Sequence, residues 1–260
     1  MSAPPLRADR TIRSYRADLH IHTALSPCAS ERMTPPVIVA AATSAGLEVI
    51  AIADHNTAGN VAAVQQAAEA AGNGLTVVPG MEITSAEEAH VLGLFPDLAA
   101  AEGAAAELHA LLPVADPNYY AYFGYQPLLS PTGRQVGVET AALSAAAPLD
   151  LADTVELIHS MGGLAIAAHV DRRAFSIFSQ LGFFPADAGF DGVEVSRHVA
   201  SDSPRLEQFA ALGLPLVGSS DSHFPEEIGA ATTELRLLEP VFPELATAFA
   251  GLDGRSVARA

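Results

Sequence analysis

From about residue 17 the chain alternates short apolar runs with longer amphipathic ones, a rhythm that predicts strands and helices alternating around a largely parallel sheet. The first helix has clear bounds: Thr34 can cap it, Pro35 suits its first turn, Val37, Ile38, Ala41, Ala42 and Ala45 share one face, and Gly46 can end it. LEVIAIAD (47–54) is apolar without alternation, as in a strand covered on both faces. A helix is expected over about 58–71, strands near 75–84 and 90–95, and a helix over 98–112. The rhythm breaks between about 113 and 149, a stretch holding four of the five tyrosines that reads as an insertion or cap. It resumes with a helix that Asp150 can cap and Gly162-Gly163 can stop. Strands follow at 164–169, 191–196 and 215–220, with a helix at 203–213, a last strand at 232–238 and a last helix near 241–250. The whole of 1–260 is expected to form one domain.

Six of the nine histidines lie at the ends of these strands, with three carboxylates among them. ADLHIH carries His20 and His22, IADH ends in Asp54 and His55, VVPGME reaches Glu82, HVLGLF begins with His90, AIAAH ends in His169, and SSDSH holds Asp221 and His223. In a barrel of parallel strands these ends converge on one mouth. Side chains two apart on a strand share a face, so His20 and His22 pair, as do Asp221 and His223. By the same rule Asp18 points with His20 and could accept the ring N–H of a ligand histidine. Histidine with carboxylate is a donor set for Zn, Mn or Fe. His109 and His159 fall inside helix patterns and read as structural.

Composition narrows the chemistry. Half of the 260 residues are hydrophobic, enough for a sizeable core, and the net charge of −17 argues against long nucleic acid held through its phosphates. All thirteen basic residues are arginine, which excludes lysine Schiff bases and the P-loop lysine. The single cysteine, Cys28, allows no internal disulfide and fits a cytoplasmic location. No signal-peptide pattern or membrane-spanning run is expected. Arg7, Arg10, Arg13 and Arg16 recur every three residues, more simply a solvated arm than an RNA contact.

In order and spacing, DLHIHTALSPC, IADHNT, GMEIT, HVLGLF, AHVDR and SSDSH resemble the PHP phosphoesterases, a family named from polymerase and histidinol phosphatase. The resemblance runs from about 18 to 225. It implies a distorted (β/α)7 barrel with two or three divalent ions, Zn, Mn or Fe, at its mouth. His20, His22, Glu82 and Asp221 would hold one ion, Glu82 would bridge to a second held by His90 and His169, and His55 and His223 would serve a third. Cys28 departs from the common form, standing where some members have histidine. A thiolate there would favour a soft or borderline ion, whereas an inert cysteine would leave the third position weak.

Four residues are expected to act beside the metals: Asp18 as above, Arg172 on a phosphate, Arg197 as a second phosphate ligand and His198 as acid to a leaving oxygen. The function implied is hydrolysis of a small phosphate monoester, with phosphodiester or short-oligonucleotide cleavage as the alternative. A non-catalytic metal-binding module and an amide or lactone hydrolase are the competing classes. The tyrosines of 118–128 could cap the mouth and stack on a substrate ring.

Overall fold

The computed structural model describes residues 11–260; Arg7 and Arg10 of the basic arm lie outside them. In chain order the elements are β1 (Arg13–Ile21), α1 (Pro35–Ser44), β2 (Val49–Ile52), α2 (Val61–Ala71), β3 (Thr76–Thr84), β4 (His90–Leu94), α3 (Leu98–His109), α4 (Pro117–Phe123), β5 (Pro127–Leu129) and β6 (Gln135–Val138). They continue with α5 (Leu151–Ser160), β7 (Leu164–Ala167), α6 (Ile177–Leu181), β8 (Gly192–Ser196), α7 (Arg205–Ala210), β9 (Leu216–Ser219), β10 (Thr233–Leu237), α8 (Phe242–Phe249) and β11 (Ser256–Arg259).

Nine strands form one sheet in the order β11-β10-β1-β2-β3-β4-β7-β8-β9. A parallel bridge between Ile21 and Ser222 brings the end of β9 back to β1, so seven strands make a distorted barrel. The β10–β11 hairpin lies outside it, with β10 antiparallel to the first half of β1. One barrel strand runs against the rest: β4 is antiparallel to both β3 and β7. The exchange happens within β3, whose first half pairs with β2 and whose second half pairs with β4. Gly80 sits at the switch, where an added Cβ would meet the Ile52 carbonyl oxygen at 2.8 Å.

Two buried clusters divide the core. One takes Tyr15, Ala17 and Leu19 of β1, Val49 and Ala51 of β2, Leu164 and Ile166 of β7, and Leu245 and Phe249 of α8. These alternate positions fill the barrel interior, and α8 closes its lower end. The other joins the outward face of the sheet, with Ile50, Ile52, Met81 and Ile83, to the inner faces of α1, α2, α3 and α5. Leu19 lies in the first cluster and Ile21 in the second, although residues two apart on a regular strand share a face. A register shift between Asp18 and Ile21 explains this: β1 is bulged there, and beyond the bulge the even positions turn inward.

The helix ends follow local chemistry. Asp150 accepts from the Asp153 N–H at 2.8 Å to cap α5, and Gly72 ends α2 in the left-handed conformation with φ 62°. Thr34 takes the N-cap position of α1 but makes no side-chain cap bond. The 113–149 stretch forms α4 and a separate two-stranded sheet of β5 and β6. The buried Gln126 ties the stretch to itself by donating to the Ala141 carbonyl oxygen at 2.7 Å, and Asn60 ties it to the barrel by accepting from the Leu129 N–H at 2.8 Å.

Candidate metal centre

The bulge in β1 aims both histidines of His-x-His into the barrel mouth. On other strands the backbone bends to the same end: His169 and Asp221 have φ of 27° and 49°, conformations uncommon for residues with a Cβ. A buried loop completes the frame. Asp54 accepts from the Thr23 N–H at 2.7 Å and from the Ser26 hydroxyl at 2.6 Å. Ser26 in turn faces His22 Nδ1 at 2.9 Å.

Glu82, 1% exposed, is the hub. Its Oε2 lies 3.5 Å from His20 Nε2, 3.4 Å from His22 Nε2 and 3.0 Å from His55 Nδ1. Its Oε1 lies 2.7 Å from His90 Nδ1 and 2.9 Å from His169 Nε2. Asp221 Oδ1 closes the first group at 3.1 Å from His22 Nε2 and 3.6 Å from His20 Nε2. Ligand atoms of His20, His22, Glu82 and Asp221 all lie within 4.8 Å of one another, as do those of His55, Glu82 and His90, and those of His22, His55 and His223. His55, expected at a third position, therefore also faces the Glu82 carboxylate.

Protonation logic shows that these residues fit a metal. His20 Nδ1 faces both Glu194 oxygens, at 3.0 and 3.1 Å, and a carboxylate can only accept, so this nitrogen carries the proton. The Ser26 hydroxyl donates to Asp54 and so accepts from His22 Nδ1. Both Nε2 atoms then present lone pairs, yet they stand 3.1 Å apart and face Asp221 Oδ1 and Glu82 Oε2. Converging lone pairs of this kind repel unless a cation lies among them, a metal ion or, in its absence, a proton. The buried His169 Nδ1 has no hydrogen-bond partner.

The local field has the same sense. Burial works to lower the pKa of His20, but Glu194, Glu82 and Asp221 outweigh it and hold it well above the imidazole range. Burial works to raise Glu82, and His90, His20 and His55 nevertheless hold it well below the carboxylate range. His90 is pulled down to about 4, chiefly by burial, and stays neutral, as a ligand must.

At the outer edge Cys28 Sγ lies 3.1 Å from His223 Nε2 and 3.3 Å from His55 Nε2. Burial opposes ionisation of this thiol, but bonds from His223 and His55 bring it down to about 5. Arg172 reaches the cluster, with Nη2 2.6 Å from Asp221 Oδ2. Arg197 pairs with Glu227 at 2.5 Å, and Glu227 also accepts from the His223 N–H at 3.0 Å, so Arg197 stands one residue removed from the ligand group. His198 is exposed on the loop after β8.

Asp18 does not take the place expected of it. Because the bulge falls between Asp18 and Ile21, its carboxylate points away from the imidazoles and accepts from the backbone N–H groups of Ser220 at 3.0 Å and Gly229 at 2.9 Å. The contact to the His20 ring belongs to Glu194, which the sequence reading missed. Glu194 is fully buried and also accepts from the His169 N–H at 3.1 Å, tying ligands of two strands to β8. A lone carboxylate inside the apolar run GVEVS was the available signal. His109 and His159 make structural contacts, to the Asn56 carbonyl oxygen and to Asp191.

The fold is a distorted barrel with a histidine and carboxylate cluster, able to hold metal ions, gathered at one mouth. The chain is a member of the PHP domain family: the PHP domain model matches residues 18–172, more than half of the sequence, and a PHP-associated model matches 207–249. Among solved structures it resembles endonuclease Q, a lesion-specific endonuclease from Pyrococcus furiosus, with a TM-score of 0.70 and 19% identity over 94% of this chain and 58% of that one. It thus spans less than two thirds of that relative. It also resembles a protein from Bifidobacterium adolescentis assigned as a metal-dependent phosphoesterase (TM-score 0.56, 23% identity, 81% of this chain and 88% of the other). An amidohydrolase from Chromobacterium violaceum with bound sulfate is similar at TM-score 0.57 and 22% identity, over 94% and 97% of the two chains. No curated protein matches the chain. Among the described residues no helix is long and apolar enough to cross a membrane.

Proposed function

We propose that this protein hydrolyses phosphate esters, with a small phosphomonoester as substrate. The observation that carries the reading is Glu82, whose two oxygens face separate sets of imidazoles, as a carboxylate shared between two ions does. His20, His22, Glu82 and Asp221 would hold one divalent ion, Zn, Mn or Fe, Glu82, His90 and His169 a second, and Cys28, His55 and His223 a third. When bound, the ions supply Lewis acidity toward a phosphoryl oxygen and an attacking water.

The chain's own groups do the rest. Glu194 and Ser26 fix which nitrogen of His20 and of His22 faces the centre. Arg172, one-third exposed beside Asp221, offers its guanidinium to phosphoryl oxygens at the mouth. Arg197 acts through Glu227 on the His223 loop rather than on phosphate. His198 stays a candidate acid for the leaving oxygen.

The test is turnover of matched phosphate esters by chelated and by metal-reloaded protein, with metal content measured in parallel. Chelation is expected to abolish turnover and reloading to restore it. No turnover of any phosphate ester by a fully loaded sample would overturn the reading. One observation favours cleavage of short oligonucleotides instead, the likeness in fold to endonuclease Q, and a diester reporter in the same panel decides between them.

A further inference from the structure

A cleft of about 380 Å3 opens directly above the outer ligands, with Cys28, His55 and His90 in its floor. Its walls are aromatic: Tyr122 and Phe123 from the end of α4, and Phe175 from the loop before α6. All three are exposed, Tyr122 at 83% and Phe175 at 45%. Large apolar side chains left in water around one opening call for an explanation that single scattered ones do not.

Phe175 is the most telling. Its φ of 57° lies in the left-handed region, costly for a bulky residue, and two contacts hold it there. Its carbonyl oxygen accepts from the His90 N–H at 2.9 Å, and its ring lies nearly parallel to the His90 imidazole, centroids 4.8 Å apart and 19° between planes. One face of the ring is thus spent on a candidate ligand while the side chain also lines the cleft. The polar atoms offered beside these rings include the hydroxyls of Thr84 and Ser144, and among the described residues no arginine lines the cleft. The part of a ligand that fits here is flat, uncharged and edged with hydrogen-bonding atoms.

We propose that this cleft is a nucleobase slot, in which Tyr122, Phe123 and Phe175 stack on the base of a nucleotide whose phosphate reaches the metal centre. The proposal rests on the phosphoesterase reading and narrows it to esters of nucleosides. The volume suits one nucleoside, and base–aromatic stacking tolerates any base because every base has a π face. Specificity then lies in the presence of a base.

The test has two independent arms. In the first, metal-loaded protein is given adenosine 5′-monophosphate and ribose 5-phosphate, which differ by the base alone. The slot predicts a kcat/KM ratio of about tenfold or more in favour of the nucleotide, falling toward one in Tyr122→Ala and Phe175→Leu. A ratio near one in the wild type overturns the slot while leaving phosphoesterase activity intact. In the second arm, adenosine, which has no phosphate, is titrated against the chelated protein while tyrosine emission is followed, since the chain has no tryptophan. Saturable quenching that ribose does not produce, weakened in Phe175→Leu, supports the slot even if no ester is turned over. No quenching at millimolar adenosine counts against it. Adding a 5′-phosphorylated trinucleotide to the first arm separates a free nucleotide from a strand end, and faster turnover than ribose 5-phosphate by either supports base recognition.

Discussion

His20, His22, Glu82 and Asp221 stand on strands or just past their ends and are at most 3% exposed, whereas Cys28, His55 and His223 stand on loops, with His223 at 20%. The inner group is held from behind by buried partners, Glu194 on His20 and Ser26 on His22. The outer group is held by contacts among its own members, by Glu82 on His55 and by the partly solvated Glu227–Arg197 pair. A strand-borne ligand inherits the rigidity of the sheet, while a loop-borne one trades rigidity for access. The inner position should therefore bind tightly, and the outer one should exchange.

Glu82→Gln breaks that comparison at its centre, since it removes the charge both inner positions share. Turnover is expected to fall to background and metal content by two ions per chain, measured by elemental analysis after gel filtration. Glu194→Ala leaves every proposed ligand in place and removes what orients His20. Its expected cost is about 10–100-fold in affinity for the tightest ion, read by chelator competition. Cys28→Ser should lower metal content by one, sparing the inner ions, and remove the thiolate charge-transfer band of the cobalt-loaded protein. Unchanged content and no such band in the parent would show an inert cysteine.

A pH experiment sharpens the outer half. With the thiol near 5, the thiolate persists above that pH, so alkylation of metal-free Cys28 should rise with a midpoint near 5 rather than near the ordinary value of 9.0. The sign for stability matches: a lowered folded value stabilises in full above 9.0, the contribution shrinks as pH falls below that, and it is gone once pH has passed through 5. Asp18→Ala should show the smallest effect on metal, none in stoichiometry. Its signature is lost stability, about 2–6 kcal/mol for two backbone N–H groups left without acceptors, measured by denaturant unfolding.

The ligand set could be read from the chain because each member sits where an apolar run ends, and apolar runs are what a sequence shows best. The antiparallel course of β4 could not, since HVLGLF has the same pattern in either direction. Asp18 and Glu194 show the deeper limit. For Asp18, period-two alternation assigns the face correctly only if the strand is regular, and the bulge between Asp18 and Ile21 depends on pairing with β2 across some thirty residues; Glu194 lies on a regular strand, and its partner His20 is set by the barrel's closure. α6 and β11 are short, and neither has a periodicity long enough to stand out. The segment 113–149 was recognisable as a break in rhythm, but its anchoring by Asn60 of the α2 N-terminus is tertiary.

The packing of α8 against the lower end of the barrel has a kinetic meaning. With Phe249 and Leu245 packed in the apolar cluster at that end, the cleft at the mouth is the approach to the centre on which the proposed chemistry would rely. On the proposed function an ion, a substrate and a product would all pass the same rim of Cys28, His55 and the aromatic walls, and so would take turns. A product resting in the cleft would then also imprison the ions beneath it, so the slowest departure through the cleft would set the pace of every other exchange.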